Sequence, residues 1–338
     1  MKKFPISLFI FLVCLFFSVV FVAAAQETEF LSVSSKPFSY SSIAHPLRIP
    51  VMKHMNFPGS DIVIEEVLPK GELYDRYSVS YFSEHRKIYG VLAVPRRTAP
   101  INGFPAVLMA HVPPAEYQGS TEYTGLIDLL AKNGYVVFMP DLRGHGNSEG
   151  IAEGAYFSPV YTIDFLNAFA SLIRHEDINP EKIGVWGHSM GGHIILRSTV
   201  IEKRIQSAVI WSGAVGSYAD LLYHWNSNTV WNSSVDQNIV KPAQLVAQFG
   251  SFNDNPQFWS EISPTSYIHD ISIPIQLHHS QYDQTVPAEF SQKLDRLLRQ
   301  ENKQSELYIY SHVNHDMEGP DTPLVLYRTL HFFNSTLQ

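Results

Sequence analysis

The sequence predicts an α/β fold with a mostly parallel central sheet flanked by helices. Two observations predict it: short apolar runs of strand length recur along the chain, and helical periodicity fills most of the gaps between them. Uniformly apolar runs are typical of strands buried on both faces of a parallel sheet. The runs lie at residues 106–110, 136–139, 183–186, 208–211, 275–277 and 307–309. Strands that alternate with helices indicate a sheet covered by helices.

Three stretches between these runs place apolar side chains on one helical face. The first carries three leucines and stops at Asn133 and Gly134, residues of the kind that end helices. The second contains Phe165 and the third contains Leu294, each with apolar residues three or four positions away. Each stretch therefore predicts a helix packed on the sheet.

Two further segments precede the parallel strands. Residues 76–82 and 87–94 alternate and are rich in Tyr and Val, which predicts an antiparallel strand pair. Residues 26–75 contain scattered Ser and Pro with one β-like run at 61–67, and we expect an N-terminal extension packed on the main domain. The main domain is predicted to span residues 76–338.

Residues 217–268 interrupt the alternation of strands and helices. They are rich in aromatic side chains but show no clear strand pattern. A connection of about 50 residues without structure of its own is uncommon in a compact domain, so the segment predicts a helical cap inserted into the main domain. Its aromatic residues include Tyr223, Trp225, Trp231, Phe249, Phe252, Phe258 and Trp259.

Composition excludes several classes of protein. The 338 residues are 45% hydrophobic and 17% charged, which is too apolar for a disordered chain. The net charge of −8 argues against nucleic acid binding, because nucleic-acid-binding proteins carry basic patches. The only cysteine, Cys14, lies in the first apolar run, so the chain after that run offers no disulfide, thiolate metal site or cysteine nucleophile.

Residues 1–25 have the pattern of a signal peptide. A basic start precedes an apolar run at 4–22, and three alanines at 23–25 supply the small residues of a cleavage site. We expect cleavage before Gln26 and a periplasmic or secreted mature protein. An uncleaved anchor is the alternative, since the run is nearly long enough to cross a bilayer, and the basic start would leave the rest facing outward.

The strongest local motif is G-H-S-M-G-G at residues 187–192, a form of G-x-S-x-G. It follows the predicted strand at 183–186 and opens a helical stretch, which is the context of a nucleophile elbow. A sharp turn strains the backbone at Ser189 and brings neighbouring chains close to Gly187 and Gly191, where side chains would obstruct it. The motif predicts that Ser189 is a nucleophile, against the alternative of an idle serine at a glycine-rich helix start.

A serine hydroxyl needs a general base, and the base needs an acid that orients it. On a sheet with such an elbow, the expected chain order is Ser, then Asp or Glu, then His. Asp283 follows the predicted strand at 275–277, and His315 follows the predicted strand at 307–309. Because the carboxyl ends of parallel strands meet at one sheet edge, we expect these loops to converge on Ser189.

At these residues the chain resembles the α/β-hydrolase superfamily, and more narrowly the catalytic domain of prolyl oligopeptidase-like serine hydrolases. The resemblance covers about Tyr81 to the C-terminus and rests on four motifs in the right order. They are D-L-R-G-H-G-N-S at 141–148, the elbow, a segment similar to H-G-x-x-D-x-x-V-P at 279–287, and a histidine five residues after Tyr310. The resemblance implies an α/β-hydrolase fold, a triad of Ser189, Asp283 and His315, and no cofactor.

Other assignments remain open from the residues alone. His312 is an alternative base, because only the family spacing and the depth in the loop favour His315. Asp316 is an alternative acid, although the immediate neighbour of His315 in sequence normally points elsewhere. A metal site is a further alternative, but H-x-x-H on a loop is a weak motif and the hydrolase order explains more. Its ligands would be His278, His279, His312 and His315.

The oxyanion hole departs from the family pattern. One donor is predicted to be the backbone N–H of Met190, the residue after the nucleophile. The second donor normally comes from the loop after the third strand, which here reads H-V-P-P at 111–114 where relatives have His-Gly. Because proline has no N–H, Val112 is the nearest backbone candidate, and the Tyr117 hydroxyl is the alternative.

These residues predict acyl transfer through a covalent intermediate that water releases. The resemblance favours a peptidase, whereas G-H-S-M-G-G is equally at home in carboxylesterases, so a peptide or small-molecule substrate is expected. The alternative from another class is a non-catalytic binding protein that uses Trp225, Trp231 and Trp259 as a recognition surface; an apparently complete triad argues against it. No metal or nucleic acid partner is predicted, and membrane contact is expected only if residues 1–25 stay attached.

Overall fold

A nine-stranded sheet forms the centre of the computed structural model, which describes residues 45–110, 123–225 and 240–338. The predicted signal peptide at 1–25 lies outside these ranges. The strand order is β1-β2-β3-β5-β4-β6-β7-β8-β9. The strands are β1 Val63–Leu68, β2 Tyr74–Ser83, β3 Arg86–Pro95, β4 Phe104–Ala110, β5 Val136–Pro140, β6 Ile178–His188, β7 Ser207–Trp211, β8 Ile275–Ser280 and β9 Ser305–Tyr310.

Pairing changes from antiparallel to parallel across the sheet. The contacts β1 with β2, β2 with β3 and β3 with β5 are antiparallel. Every contact from β5 through β4 to β9 is parallel. The predicted mostly parallel sheet and the predicted antiparallel pair at 76–82 and 87–94 are therefore confirmed. The sheet begins at Val63, within the range 26–75 that was expected to form an N-terminal extension.

Side chains of the central strands alternate between two hydrophobic cores, one on each face of the sheet. In β4, Val107 and Met109 join one core, while Ala106 and Leu108 join the other. This is the period of two that a strand requires. Because both faces are covered, every residue of β4 is buried and the sequence reads as a continuous apolar run.

Helices supply the cover on each face. They are α1 Ile49–Met52, α2 Thr124–Lys132, α3 Val160–Ile173, α4 Met190–Ile201, α5 Pro242–Phe249, α6 Pro256–Ile262, α7 Ala288–Gln300 and α8 Thr322–Leu337. Residues of α2 and α8 belong to one core, and residues of α3, α4 and α7 to the other. The three helices expected from apolar periodicity are confirmed, whereas α8 was not predicted. Gly184 in β6 leaves the space that Phe333 and Leu337 of α8 occupy.

The segment 217–268 is largely helical where the structure describes it. It contains α5, α6, a π-helical turn at Asp220–His224 and the start of a 3-10 helix at Pro264–Asp270. Its aromatic side chains pack on one another: the rings of Phe249 and Phe258 stack at 4.1 Å. Trp231 lies outside the described ranges. In the part of the chain that is described, no helix is long and apolar enough to cross a membrane.

The last strand differs from its prediction. The run at 307–309 was expected to be buried on both faces, and this is wrong. Strand β9 is the edge of the sheet, and Ile309 is 37% exposed. An edge strand has a neighbour on one side only, so it is less completely covered than β8, in which all six residues are buried.

Candidate active site

Ser189 lies in the sharp turn between β6 and α4. It follows His188, the last residue of β6, and precedes Met190, the first residue of α4. Its backbone has φ 52° and ψ −113°, a strained conformation that residues other than glycine rarely adopt. The Ser189 N–H donates to the Trp211 carbonyl, and the Ser189 carbonyl accepts from the Ala214 N–H. The end of β7 therefore holds the turn in place.

Gly187 and Gly191 make room for this turn. A Cβ atom on Gly191 would lie 2.1 Å from the carbonyl oxygen of Ala110, and one on Gly187 would lie 2.5 Å from the carbonyl oxygen of Gly191. Both distances are far inside van der Waals contact, so a side chain at either position would displace the turn. The close backbone approach predicted at these two glycines is confirmed.

A continuous chain of hydrogen bonds joins Ser189, His315 and Asp283. The Ser189 Oγ atom lies 3.0 Å from His315 Nε2, and His315 Nδ1 lies 2.7 Å from Asp283 Oδ2. When Nδ1–H donates to the carboxylate, Nε2 accepts from the serine hydroxyl. The other carboxylate oxygen accepts from the N–H groups of Thr285 and Val286. The structure thus brings the three sequence-predicted residues together at the carboxyl edge of the sheet.

The Asp283 side chain is fully buried, yet its surroundings favour the ionised form. Burial alone would raise the pKa of Asp283. Hydrogen bonds from His279, from His315 and from the Val286 amide outweigh burial and hold the pKa of this carboxyl well below its usual range. A buried negative charge therefore faces Nδ1 of His315 at neutral pH.

The alternative base and acid make other contacts. His312 Nδ1 lies 3.4 Å from Asp321, and the His312 side chain is 68% exposed. Asp316 is 60% exposed, and its nearest imidazole is that of His188 at 3.9 Å. In contrast, the His315 side chain is 15% exposed and contacts the Ser189 hydroxyl.

The imidazoles considered as metal ligands have hydrogen-bond partners within the protein. His278 bonds through both ring nitrogens, to the side chains of Tyr310 and Gln276. His279 bonds to the Ser291 hydroxyl and to a backbone carbonyl. Both ring nitrogens of His278 and of His279 are therefore engaged in hydrogen bonds within the protein, which gives these two rings a structural role.

A further group of potential metal ligands lies at the site itself. Donor atoms of His188, His315 and Asp316 lie within 4.8 Å of one another. However, both ring nitrogens of each histidine are engaged, those of His188 by Tyr123 and a backbone carbonyl, and those of His315 by Asp283 and Ser189. A metal ion would have to break the contact between His315 and the serine hydroxyl.

The Met190 N–H lies in the first turn of α4, where backbone amides have no partner within the helix. Within the described ranges this amide makes no hydrogen bond. The candidates for a second donor, Val112 and Tyr117, lie outside those ranges. Strand β4 ends at Ala110, whose carbonyl oxygen lies beside Gly191 of the elbow, and Val112 follows Ala110 by two positions in the sequence.

Trp225 packs beside the segment that carries Asp283. Its indole Nε1–H donates to the Thr285 carbonyl at 2.7 Å. Its ring contacts Tyr156 edge-on at 5.6 Å and Phe290 at 5.9 Å. An aromatic side chain from the segment 217–268 therefore touches a loop of the site.

Two contacts at the site have little sequence signal of their own. His279 Nε2 lies 3.2 Å from Asp283 Oδ2, and His188 Nε2 lies 2.9 Å from the carbonyl oxygen of His315. The only sequence indication of the contact between His279 and Asp283 is that the two residues are four positions apart at the end of a strand. The second depends on which strands are neighbours in the sheet, which a single sequence does not reveal.

Residues 122–338, more than half of the chain, match the prolyl oligopeptidase family. The chain belongs to this family. The resemblance inferred from the sequence motifs is therefore confirmed, and the protein is a serine hydrolase.

Relatives of this prolyl oligopeptidase family member include the uncharacterized peptidase YtmA of Bacillus subtilis, 26% identical over 246 residues that cover 71% of this chain and 85% of YtmA. Acylaminoacyl peptidase of Pyrococcus horikoshii superposes with a TM-score of 0.64 at 18% identity, over 79% of this chain and 42% of the peptidase. Acetyl xylan esterase from Paenibacillus sp. R4 superposes with a TM-score of 0.61 at 15% identity, over 86% of this chain and 92% of the esterase.

These superpositions establish the α/β-hydrolase fold. The chain spans about two-fifths of the length of the acylaminoacyl peptidase. It spans 36% of the dipeptidyl peptidase 4 of Porphyromonas gingivalis, which has a TM-score of 0.60. By contrast, it spans nearly the whole acetyl xylan esterase. The shared part is therefore the hydrolase fold itself.

Proposed function

We propose that Ser189, His315 and Asp283 form a catalytic triad, and that the protein hydrolyses peptide or ester bonds through an acyl-enzyme. The observation that carries this proposal is the hydrogen-bond chain from Ser189 Oγ through His315 to the buried Asp283 carboxylate. The positive φ of Ser189 adds support, because backbone strain clusters at functional sites.

The proposed reaction has two halves. In the first, His315 Nε2 takes the hydroxyl proton of Ser189 while Oγ attacks the substrate carbonyl, and Asp283 stabilises the resulting imidazolium. The imidazolium then gives its proton to the leaving amine or alcohol. In the second half, His315 deprotonates a water that attacks the acyl-enzyme, which releases the acid and restores Ser189.

The backbone amides of Met190 and Val112 are proposed to bind the developing oxyanion. The Met190 amide lies at a helix start, where a donor is well placed for negative charge. Val112→Pro removes one N–H, whereas Val112→Ala keeps it. Loss of one donor costs about 100-fold to 1,000-fold in kcat, so the proline variant should lose far more than the alanine variant. Similar activities of the two variants, with a large loss in Tyr117→Phe, would assign the second donor to the tyrosine hydroxyl.

A peptidase is the first candidate for the substrate class. The segments around Asp283 and His315 follow the prolyl oligopeptidase pattern, and the relative YtmA is described as a peptidase. A carboxylesterase is the second candidate, because an acetyl xylan esterase shares the fold over nearly its whole length. Peptide and ester hydrolysis use the same acyl transfer to the serine. They differ only in the leaving group, which is an amine in a peptide and an alcohol in an ester.

A paired substrate screen distinguishes these candidates. The purified protein is assayed on p-nitrophenyl esters and on aminoacyl p-nitroanilides, with Ser189→Ala as the matched control. Turnover of the anilides that the Ser189→Ala variant lacks supports a peptidase. Turnover of the esters alone supports a carboxylesterase. If neither class is hydrolysed and a fluorophosphonate does not react, the non-catalytic binding protein is favoured.

We also propose that the protein is exported and that residues 1–25 are removed. The basic start, the apolar run and the alanines before Gln26 support this proposal. In this arrangement, residues 26–75 form an extension and residues 76–338 form the catalytic domain, with 217–268 as its cap. N-terminal sequencing of protein from the periplasm and medium is expected to begin at Gln26. A chain that starts at residue 1 in the membrane fraction would instead indicate an anchor.

A further inference from the structure

Side chains at the ends of three neighbouring strands form hydrogen bonds with the loop that carries His315. The loop follows β9, while His188 ends β6, Ser212 follows β7 directly and Ser280 ends β8. Each of these three side chains donates a hydrogen bond to a backbone carbonyl of the loop. Because β6, β7 and β8 are consecutive in the sheet, the bonds reach the loop from up to three strands away.

Two of the bonds meet on the carbonyl oxygen of His315 itself. His188 Nε2 lies 2.9 Å from this oxygen, and Ser212 Oγ lies 2.7 Å from it. A carbonyl oxygen has two lone pairs, so both donors bind at the same time. The third bond, from Ser280 Oγ to the Val313 carbonyl at 2.6 Å, holds the loop two residues earlier.

The surroundings of His188 make it a donor at this position. Burial, together with the nearby His315 ring, lowers the pKa of His188 to about 3, so the ring is neutral near pH 7. A neutral imidazole carries one N–H, and the contact with the carbonyl requires that proton on Nε2. Nδ1 then accepts from the Tyr123 hydroxyl at 2.8 Å. The His315 carbonyl, which can only accept, therefore fixes the tautomer, and the Tyr123 hydroxyl is compatible with it as a donor to Nδ1.

We propose that His188 and Ser212 are positioning residues for His315 that act through its backbone carbonyl. The inference rests on the proposed triad and deepens it. Asp283 orients the imidazole ring through Nδ1, but the side-chain torsions of His315 lie between that ring and the backbone. The two donors fix the backbone from which the ring extends. Together, the contacts at both ends hold Nε2 at 3.0 Å from Ser189 Oγ.

The strand ends are suitable anchors for this purpose. The backbone of His188 pairs with that of Trp211 in the sheet, so its donor is part of a rigid element. Ser212 follows Trp211 and donates its own N–H to the His278 carbonyl of β8. Groups held by strands are placed more accurately than groups held by loops, and a misplacement of about 1 Å costs about 100-fold in rate.

A double-mutant comparison tests the proposal, with p-nitrophenyl acetate as the probe. We expect His188→Ala and Ser212→Ala each to lower kcat by roughly 3-fold to 10-fold, because one donor remains on the carbonyl, and the double variant to lose about 100-fold. KM should stay within about twofold of the parent value, since neither residue is proposed to bind substrate. Ser207→Ala is the matched control: Ser207 is an equally buried serine at the opposite end of β7, and its loss should leave kcat unchanged.

A rescue variant separates positioning from simple packing. In His188→Gln, the side-chain amide retains an N–H near the position of Nε2, whereas His188→Leu fills the space without a donor. We expect the glutamine variant to keep kcat within about threefold of the parent and the leucine variant to match His188→Ala. Circular dichroism and thermal unfolding identify variants that fold. Should the double variant fail to fold, the comparison of glutamine with leucine decides the question.

Ser189→Ala in the same assay separates this proposal from the proposed function. If Ser189→Ala keeps the parent activity, the triad itself is wrong. If Ser189→Ala is inactive while the double variant keeps kcat within about threefold of the parent, only the positioning role is overturned. A glutamine variant no better than the leucine variant would also overturn it, because the donor would then be irrelevant.

Discussion

His279 Nε2 lies 3.2 Å from Asp283 Oδ2, the same oxygen that contacts His315. His279 is fully buried; its Nε2 also lies 3.0 Å from the Val286 carbonyl oxygen, and its other ring nitrogen is bonded to Ser291. Two backbone amides occupy the second carboxylate oxygen. Asp283 therefore keeps donors on both oxygens even when His315 is absent. Strand β8 and the loop after it therefore hold the proposed acid independently of the proposed base.

His315→Ala should abolish activity without loosening the fold. We expect its kcat to fall as far as that of Ser189→Ala, and the double variant to be scarcely worse, because residues that act as one unit are not additive. Thermal unfolding should be unchanged, since Asp283 keeps its other partners. A double variant whose loss equals the product of the two single losses would contradict this prediction. His312→Ala is the control, and a larger loss there than in His315→Ala would reassign the base.

Asp283→Asn should lower kcat by about 10,000-fold, by analogy with the same change in a serine protease. The amide that replaces the carboxylate favours the wrong imidazole tautomer, so Nε2 no longer accepts the serine proton. Asp316→Asn is the matched control, because Asp316 is exposed and next to His315 in sequence. Its activity should remain within about threefold of the parent. A loss below tenfold in Asp283→Asn would refute the role proposed for this carboxylate.

Trp225→Ala should reduce kcat/KM more for bulky apolar substrates than for acetyl esters. Trp225 joins the segment 217–268 to the Asp283 loop, and its large apolar ring is buried there against Phe290. Each small apolar contact is worth about 1 to 3 kcal/mol in discrimination. Trp259→Ala is the control, because that indole bonds to the Gly250 carbonyl within the segment itself. Equal losses on both kinds of ester in Trp225→Ala would indicate a purely structural segment.

Acidification should destabilise the fold partly through His193. Burial, with the charge of Arg197, lowers the pKa of His193 from 6.5 to about 3. Protonation therefore favours the unfolded chain, so stability is lost as the pH falls below about 6.5. The parent should lose up to about 2 kcal/mol more than His193→Phe between pH 8 and pH 5, because each pKa unit is worth about 1.4 kcal/mol.

Urea unfolding at the two pH values measures this difference. His193 packs edge-on against Tyr156 at 5.2 Å, so phenylalanine suits the surroundings of the ring. Parallel pH dependence of the parent and His193→Phe would rule out the buried imidazole as a source of acid sensitivity.

The elbow could be predicted from sequence because its signal is local. A strand, a glycine on each side of Ser189 and a helix follow one another within a few residues, and the close approaches at Gly187 and Gly191 come from this spacing. Asp283 and His315 are distant in sequence. They could nevertheless be predicted, because the chain order of the three residues and their positions after strands limit which residues such a sheet brings together.

The supporting contacts could not be predicted, because they depend on strand order. Ser212 and Ser280 look like ordinary residues at strand ends. They contact the same loop only because β7, β8 and β9 are neighbours in the sheet. The exposure of β9 was missed for the same reason. Arg197 is a further example: composition would put an arginine at the surface, yet it is fully buried and bonds to the carbonyls of Leu47 and Ile262.

Covalent labelling with a fluorophosphonate tests the proposed triad most directly. The reagent reacts with an activated serine, and peptide mapping by mass spectrometry locates the adduct. We expect one adduct, on Ser189, with activity falling in proportion to its occupancy and with little labelling of His315→Ala. An adduct on another residue, or full activity in protein that is completely labelled at Ser189, would contradict it.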